Sequence, residues 1–413
     1  MQRITTPQLL SRSRFVSFAL AALAIGGGAL PACKTNSSLP INLPGVINKE
    51  RAMWVTRFDY ETPRDIEKIA EACQLAGMNT ILFQVRGAGT VSYKSALEPW
   101  SERYNWADPG FDPLATAIAA AHERGLELKA WVNVMPAWWG TTPPTDPRHV
   151  WHAHKDWLWY DQNGKVQPFS DKFYVSLNPC LPEVRRYLAS VMRDLVARYD
   201  VDGLHLDYIR FPNDLVPAGT DYPRDARTVK LFRGETGKTP EQDKAGWDAW
   251  RAEQVTNLMR EIRRQVRQEK PDLELSAAVG PEPARALAAH FQDVKTWAHE
   301  NLVDVVYPMN YTRDPAVFQK RVELWRPIED DTNVVMGLRI DSDDVALHRA
   351  QISTAVHEFG GFAMFAYSSI FDSPNDVLDN QTEKTRAERQ IRRNALLPVL
   401  KGSSPPDKDT SAD

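Results

Sequence analysis

Eight short runs rich in β-branched and aromatic residues recur along the chain, separated by stretches with helical spacing. This alternation constrains the fold more than any other feature. The runs are residues 52–58, 80–85, 127–134, 203–209, 274–279, 303–309, 333–340 and 361–367. Between them, residues 63–76, 113–124, 182–199, 247–269, 291–300, 315–325 and 342–359 read as amphipathic helices. Strands that alternate with helices are parallel, because each helix carries the chain back across the sheet. Eight such strands are what a closed (β/α)₈ TIM barrel uses. A doubly wound open sheet is the competitor, but no glycine-rich phosphate turn follows the first strand. Residues 51–400 therefore read as one α/β barrel, with long loops after strands three and four, at 135–181 and 212–246.

Residues 1–32 read as a signal peptide. Arg3, Arg12 and Arg14 precede an apolar stretch at 15–30 that is too short to span a bilayer comfortably. It ends in Leu30-Pro31-Ala32-Cys33, which resembles a bacterial lipobox, so Cys33 is the expected lipidation site. An ordinary secretory signal cut elsewhere is the alternative. Lys34, not an aspartate, follows the cysteine. By resemblance to Gram-negative lipoprotein sorting, this implies an outer-membrane lipoprotein facing the periplasm, with acyl chains as its membrane anchor. Residues 33–50 read as a polar tether and 401–413 as a disordered tail. Loss of residues 1–32 leaves 47 basic against 54 acidic residues, a net of about −7. With no basic run and no aromatic RNA-binding motif, a nucleic-acid partner is not expected. Cys73 and Cys180 fit either a disulfide or two buried thiols.

Catalytic side chains of such a barrel sit at the C-terminal ends of its strands. There the sequence places Asp59, Arg86, Asn133, Asp207, Glu282, Asn310 with Tyr311, Arg339 with Asp341, and Tyr367. Polar groups converging on one mouth mark a site, because a barrel interior favours branched apolar residues. The segment Asp202-Gly203-Leu204-His205-Leu206-Asp207-Tyr208 is a turn into a short buried strand with a carboxylate where that strand ends. Glycoside cleavage needs two carboxyl groups. Asp207 is the first candidate, weighed against a salt bridge to Arg210 or Arg86. Glu282, fixed between Pro281 and Pro283, is the second, nearly balanced by a plain surface role. Asp59 and Asp341 are reserves for binding a hydroxyl or an arginine, and Asp202 holds the turn. His205 lies on the same side of its strand as Asp207. It bonds the carboxylate or a sugar, or it is a satisfied barrel histidine.

The first long loop holds Trp138, Trp139, Trp151, Trp157, Trp159 and Tyr160. Rings of this kind stack on sugars, although for any single one packing onto the rim is the favoured reading. Trp138 and Trp139 are adjacent, so one of them is expected to face the cleft. His149, His152 and His154 lack the further ligands of a metal site, and no metal is expected.

Five segments fall in order on strands one to four and six: Ala52-Met53-Trp54-Val55, Phe83-Gln84-Val85-Arg86, Ala130-Trp131-Val132-Asn133, the Asp202–Tyr208 segment with Arg210-Phe211-Pro212, and Tyr307-Pro308-Met309-Asn310-Tyr311. Together they resemble the glycosyl-hydrolase-like family of bacterial envelope lipoproteins, the tenth of that series. The resemblance implies a (β/α)₈ barrel, a glycosidase role on cell-wall glycan (notably peptide-free, denuded peptidoglycan), Asp207 as the main carboxylate, and no cofactor. A weaker likeness is to chitinases, whose fourth strand carries Asp-Gly-x-Asp-x-Asp-x-Glu. Here His205 replaces the middle aspartate and Ile209 the glutamic acid, so that mechanism does not transfer as such. Attack by a substrate N-acetyl group stays open.

The expected protein is an envelope lipoprotein glycosidase with Asp207 and Glu282 as catalytic carboxyls. Asp59, Arg86, Asn133, Trp138, Trp139, His205, Asn310, Tyr311, Asp341 and Tyr367 are the expected sugar-binding set. Peptidoglycan is the expected substrate, with cell-division or wall proteins as candidate partners. A non-catalytic tether that binds glycan and a hydrolase of an exopolysaccharide are the alternatives.

Overall fold

The computed structural model describes residues 50–212, 219–374 and 383–401. The signal peptide, Cys33, nearly all of the tether and the tail beyond residue 401 lie outside the described residues. The strands, in chain order, are β1 (Arg51–Val55), β2 (Thr80–Arg86), β3 (Glu127–Asn133), β4 (Pro136–Gly140), β5 (Ser170–Ser176), β6 (Gly203–Asp207), β7 (Glu274–Val279), β8 (Val305–Pro308), β9 (Asn333–Val334), β10 (Met336–Arg339) and β11 (Phe362–Phe365). The helices are α1 (Pro63–Leu75), α2 (Pro113–His122), α3 (Val150–Ala153), α4 (Pro182–Arg198), α5 (Ala226–Thr236), α6 (Lys244–Glu269), α7 (Pro283–His290), α8 (Val294–His299), α9 (Pro315–Trp325), α10 (Val345–Phe359) and α11 (Glu383–Leu400).

Nine strands form one parallel sheet in the order β10-β11-β1-β2-β3-β6-β7-β8-β9. Its two ends are consecutive in the chain, separated only by Val335. The Val335 N–H donates to Val306 O at 3.0 Å, and the Asn310 N–H donates to Gly337 O at 3.0 Å. β9 and β10 are therefore one interrupted strand, and the sheet is an eight-stranded barrel, as the alternation predicts. The main departures lie between strands. β4 and β5 pair antiparallel within the first long loop, α5 occupies the second, and α7 precedes α8 where one helix was expected.

Local sequence sets the helix starts. Thr62 and Asp65 exchange capping bonds at the start of α1, and Pro63 stands in its first turn. α4 and α6 pack side by side, burying Val184, Leu188, Val191 and Leu195 with Val255, Met259, Ile262 and Val266. Each such side chain contributes about 1.5–3 kcal/mol when fully buried.

Alternation along the strands splits inward from outward residues. Leu128, Ala130 and Val132 join the core beneath the helices, whereas Trp131 joins an inner cluster with Ala52, Trp54, Leu82 and Tyr307. At the bottom of the barrel Lys129 is buried between Glu50 and Glu274, at 2.8 and 2.6 Å, and donates to the Tyr307 hydroxyl at 3.1 Å. Gly203 leaves room for its stem: a Cβ there would stand 3.0 Å from the Lys129 side chain. Cys73 and Cys180 are both buried free thiols.

Candidate active site

The C-terminal mouth of the barrel opens into a cavity of about 430 Å³. Trp54, Trp131, Ala278, Met309, Tyr311 and Phe365 give it an apolar surface, to which Thr56, Arg57, Asp59, Gln84, Asn133, Asp207, Tyr208, Arg210 and Ser368 add polar groups. Phe58, Trp139 and Tyr174 complete the wall. Aromatic faces with a few fixed polar groups suit a ligand that is itself amphipathic, as a sugar ring is.

Asp207 closes β6 beside Asn133, its register partner on β3. Its Oδ1 accepts from the Tyr208 N–H at 2.6 Å and from Arg210 Nη1 at 2.9 Å. Tyr208 adopts a left-handed backbone (φ 49°) just where the strand ends. Such a conformation is unfavourable for a bulky residue and is concentrated at functional sites. Here it turns the chain so that Asp207, Tyr208 and Arg210 all line one cavity, with the Arg210 guanidinium 4.6 Å from the Tyr208 ring. Tyr311 stacks on Phe365, with ring centroids 5.6 Å apart. Burial, and then the charge of Asp207, push its phenol well above the usual range, so it stays a neutral donor.

Among the described residues, Asp59 is the other acid lining this cavity. It is buried, and its Oδ2 accepts from the Thr56 N–H at 2.7 Å and the Thr56 hydroxyl at 2.8 Å. Gln84 Nε2 donates to Asn133 Oδ1 at 3.2 Å, and Asn133 Nδ2 donates to Gly87 O at 3.2 Å, which fixes both amides in the wall. Of the paired tryptophans, Trp139 lines the cavity. Trp138 turns away, stacks on Trp106 and donates to Thr142 O at 2.7 Å.

Several expected site residues have other tasks. Glu282 starts α7 and lines a neighbouring cavity of about 320 Å³, where Arg321 holds it at 3.1 Å. Arg86 is fully buried in a bidentate pair with Glu98, at 2.7 and 2.6 Å, and so does not reach the mouth. Asn310 donates to Phe318 O at 3.3 Å and ties the end of β8 to α9. Asp341 pairs with Arg313 and Arg339 on the rim, at 3.1 and 3.0 Å. Tyr367 stacks on Phe371 beside a separate groove. In the first long loop, Trp159 is buried and His154 stacks on Trp157 at 3.6 Å, so these rings pack the loop onto the rim.

His205 sits one inward position deeper than Asp207, below the cavity floor. An indole N–H can only donate, so the 3.1 Å bond from Trp54 Nε1 makes His205 Nε2 an acceptor. The proton then sits on Nδ1, which donates to Ser276 Oγ at 3.0 Å. Burial, reinforced by the Lys129 charge, pushes the ring down to about 3. A histidine in an unfolded chain titrates near 6.5. Between these values the unfolded chain holds a proton that the folded chain does not, so folded stability falls as pH drops through this window. The slope approaches about 1.4 kcal/mol per pH unit. His205→Gln removes that part of the slope in urea unfolding curves taken from pH 4.5 to 7.5. An unchanged slope would mean that the histidine is charged in the fold.

Thr56, Arg57, Phe58, Tyr174, Tyr208 and Ser368 line the cavity without being among the residues expected from the sequence. The first strand, expected to reach residue 58, ends at Val55, and the next three residues turn over the mouth. Tyr174 arrives on β5, hidden in a loop whose tryptophans dominate its composition.

Comparison with known proteins agrees with this geometry. A family signature described as glycosyl hydrolase-like 10 matches residues 49–341. The glycosyl hydrolase YngK of Bacillus subtilis (strain 168) is 24% identical over 366 residues, covering 83% of this chain. The match spans 62% of that protein, less than two thirds of its length. The glycosyl hydrolase DigH of Escherichia coli (strain K12) is 24% identical over 361 residues, 76% of each chain. Among solved structures, the PgaB (BpsB) glycoside hydrolase domain from Bordetella bronchiseptica superposes with a TM-score of 0.59 at 14% identity, covering 83% of this chain and 99% of its own. The catalytic domain of β-amylase from Paenibacillus polymyxa does so with a TM-score of 0.56 at 11% identity, covering 86% and 99%. The structural likenesses carry the barrel, and the family signature covers most of the chain: this chain belongs to the glycosyl hydrolase-like 10 family.

Proposed function

We propose that the protein cleaves N-acetylated glycan strands, peptide-free peptidoglycan foremost, with Asp207 as its principal carboxylate. The observation that carries this reading is the setting of Asp207. It closes a central barrel strand inside an aromatic cavity, with Oδ1 bound by Arg210 and the Tyr208 N–H. Both bonds fall on one oxygen, and Arg210 balances the charge, which suits the half of a carboxyl pair that stabilises or attacks the anomeric centre. Asp59 replaces Glu282 as the partner carboxyl, because it shares the cavity and Glu282 does not. The indole N–H of Trp131, buried with no acceptor among the described residues, offers a bond to a sugar oxygen or an N-acetyl carbonyl.

The test is a panel of peptide-free peptidoglycan strands, peptide-bearing peptidoglycan, chitin oligomers and an N-acetylglucosamine exopolysaccharide, with products read by mass spectrometry. Oligosaccharides released from peptide-free strands in preference to the others are expected. Cleavage of the exopolysaccharide alone would move the substrate. Binding to every glycan with no product would leave only a tether.

The same proposal places the enzyme on the outer membrane, facing the periplasm, through acylated Cys33. Its support is the lipobox-like Leu30-Pro31-Ala32-Cys33 followed by Lys34. Labelling with a fatty-acid analogue is expected in the native chain and absent from Cys33→Ser. Equal labelling of both would remove the anchor.

A further inference from the structure

Two arginines line the cavity, and their surroundings differ. Arg210 is paired with Asp207 at 2.9 Å. Arg57 is only 6% exposed, yet no carboxylate among the described residues comes within ion-pair distance of it. Its guanidinium reaches the Tyr174 hydroxyl at 3.4 Å and Gln84 Oε1 at 3.5 Å, both long for a charged donor. Glu102, whose field it feels, is bonded instead to Thr90 and Ser101. A buried charge is normally paired, because taking it out of water without a partner is costly.

The fold nevertheless holds this guanidinium in one place. The Arg57 N–H donates to Gln84 Oε1 at 3.0 Å, and the charged group stands 4.5 Å from the Phe58 ring centroid. It also lies directly over Gly87, where a Cβ would come within 2.6 Å of its central carbon. Only glycine leaves that seat open. A guanidinium fixed in a sugar-sized cavity, with unused donors in a planar fork, matches the two oxygens of a carboxylate.

We infer that Arg57 is a specificity residue that reads a carboxylate on the glycan. This inference rests on the proposed glycan substrate and narrows it to an acidic one. In peptidoglycan that group is the 3-O-lactyl carboxylate of muramic acid. It is free in peptide-free strands, and it becomes an uncharged amide wherever a stem peptide is attached. Pairing with Arg57 thus selects strands whose peptides have been removed. A uronic acid carries the same chemistry on a different carbon.

The test uses ligands with no bond to cleave. N-acetylmuramic acid, its primary carboxamide, N-acetylglucosamine and glucuronic acid are titrated into the purified protein, and binding is followed by the fluorescence of the cavity tryptophans. N-acetylmuramic acid is expected to bind at least about tenfold more tightly than its carboxamide, as a charge-assisted bond requires. Arg57→Gln abolishes that ratio while the carboxamide affinity stays within about twofold. Arg57→Lys, which keeps the charge and loses the fork, retains part of it. Glucuronic acid matching N-acetylmuramic acid would support carboxylate reading and assign it to a uronate; weaker binding assigns it to the lactyl group. A wild-type ratio near one overturns the inference without any variant, as does an Arg57→Gln protein that keeps the ratio or loses both ligands equally. If no glycan in the panel is cleaved and the ratio persists, the hydrolytic reading fails and carboxylate reading stands. Cleavage with a ratio of one gives the reverse.

Discussion

Asp207→Asn is expected to lower kcat on a cleavable glycan by at least about a thousandfold, with KM changed less than about threefold. The substitution is nearly isosteric. It keeps a carbonyl oxygen to accept from the Tyr208 N–H and from Arg210, the two bonds that fix the side chain, and removes only the charge. A group that acts mainly in the transition state shows in kcat, whereas one that only holds the sugar shows in KM. Asp59→Asn is expected to lower kcat as well, because the second carboxyl of the cavity is lost. Glu282→Gln should stay within about threefold of the native enzyme, since its carboxylate is turned to Arg321 in the next cavity. If Asp207→Asn lost less than tenfold while Glu282→Gln lost a hundredfold, the roles would be reversed and Asp207 would be no more than the ion-pair partner of Arg210.

The barrel was readable because its signals are local and repeated. Short runs rich in β-branched and aromatic residues, separated by amphipathic helices, can close only in a few ways, and all eight strands lie within a few residues of their expected places. The side to which a residue points was also readable, and the same parity puts His205 and Asp207 inside the barrel. Depth was not. His205 stands one inward position lower, under the floor, because depth depends on how neighbouring strands are staggered and not on the sequence of one strand. Long-range partners were equally hidden. Nothing near Glu282 in the chain announces Arg321, and nothing near Tyr174 announces that an antiparallel ribbon carries it back to the mouth. Asp207 was legible because its signal, a carboxylate at the end of a short buried strand, needs no distant partner to be recognised. Arg57 carries a sequence signal of its own, a charged residue inside an expected apolar strand.

Arg86 shows how much a distant partner decides, and its removal should be felt in stability far more than in binding. Its Nε and Nη2 bond the two oxygens of Glu98 at 2.7 and 2.6 Å, and both side chains are fully buried. Nη1 bonds the Asn133 and Val134 carbonyls, which ties the end of β2 to the end of β3, while the Tyr187 hydroxyl donates to Glu98 at 3.0 Å. Arg86→Met would leave Glu98 as an unpaired buried charge, and breaking such a pair costs about 3–5 kcal/mol. A fall in Tm of several degrees is expected, with Glu98→Leu causing a comparable loss by orphaning the guanidinium. Combining Arg86→Met with Glu98→Leu should recover part of the stability, because no lone charge then remains inside. The folded fraction of each variant should hold N-acetylated sugar with an affinity within about twofold of the native protein, since Arg86 does not line the cavity. Native stability together with weakened sugar binding would instead return Arg86 to the mouth of the barrel. The double substitution separates the two roles most sharply, because no apolar replacement of Glu98 could restore a lost contact to sugar.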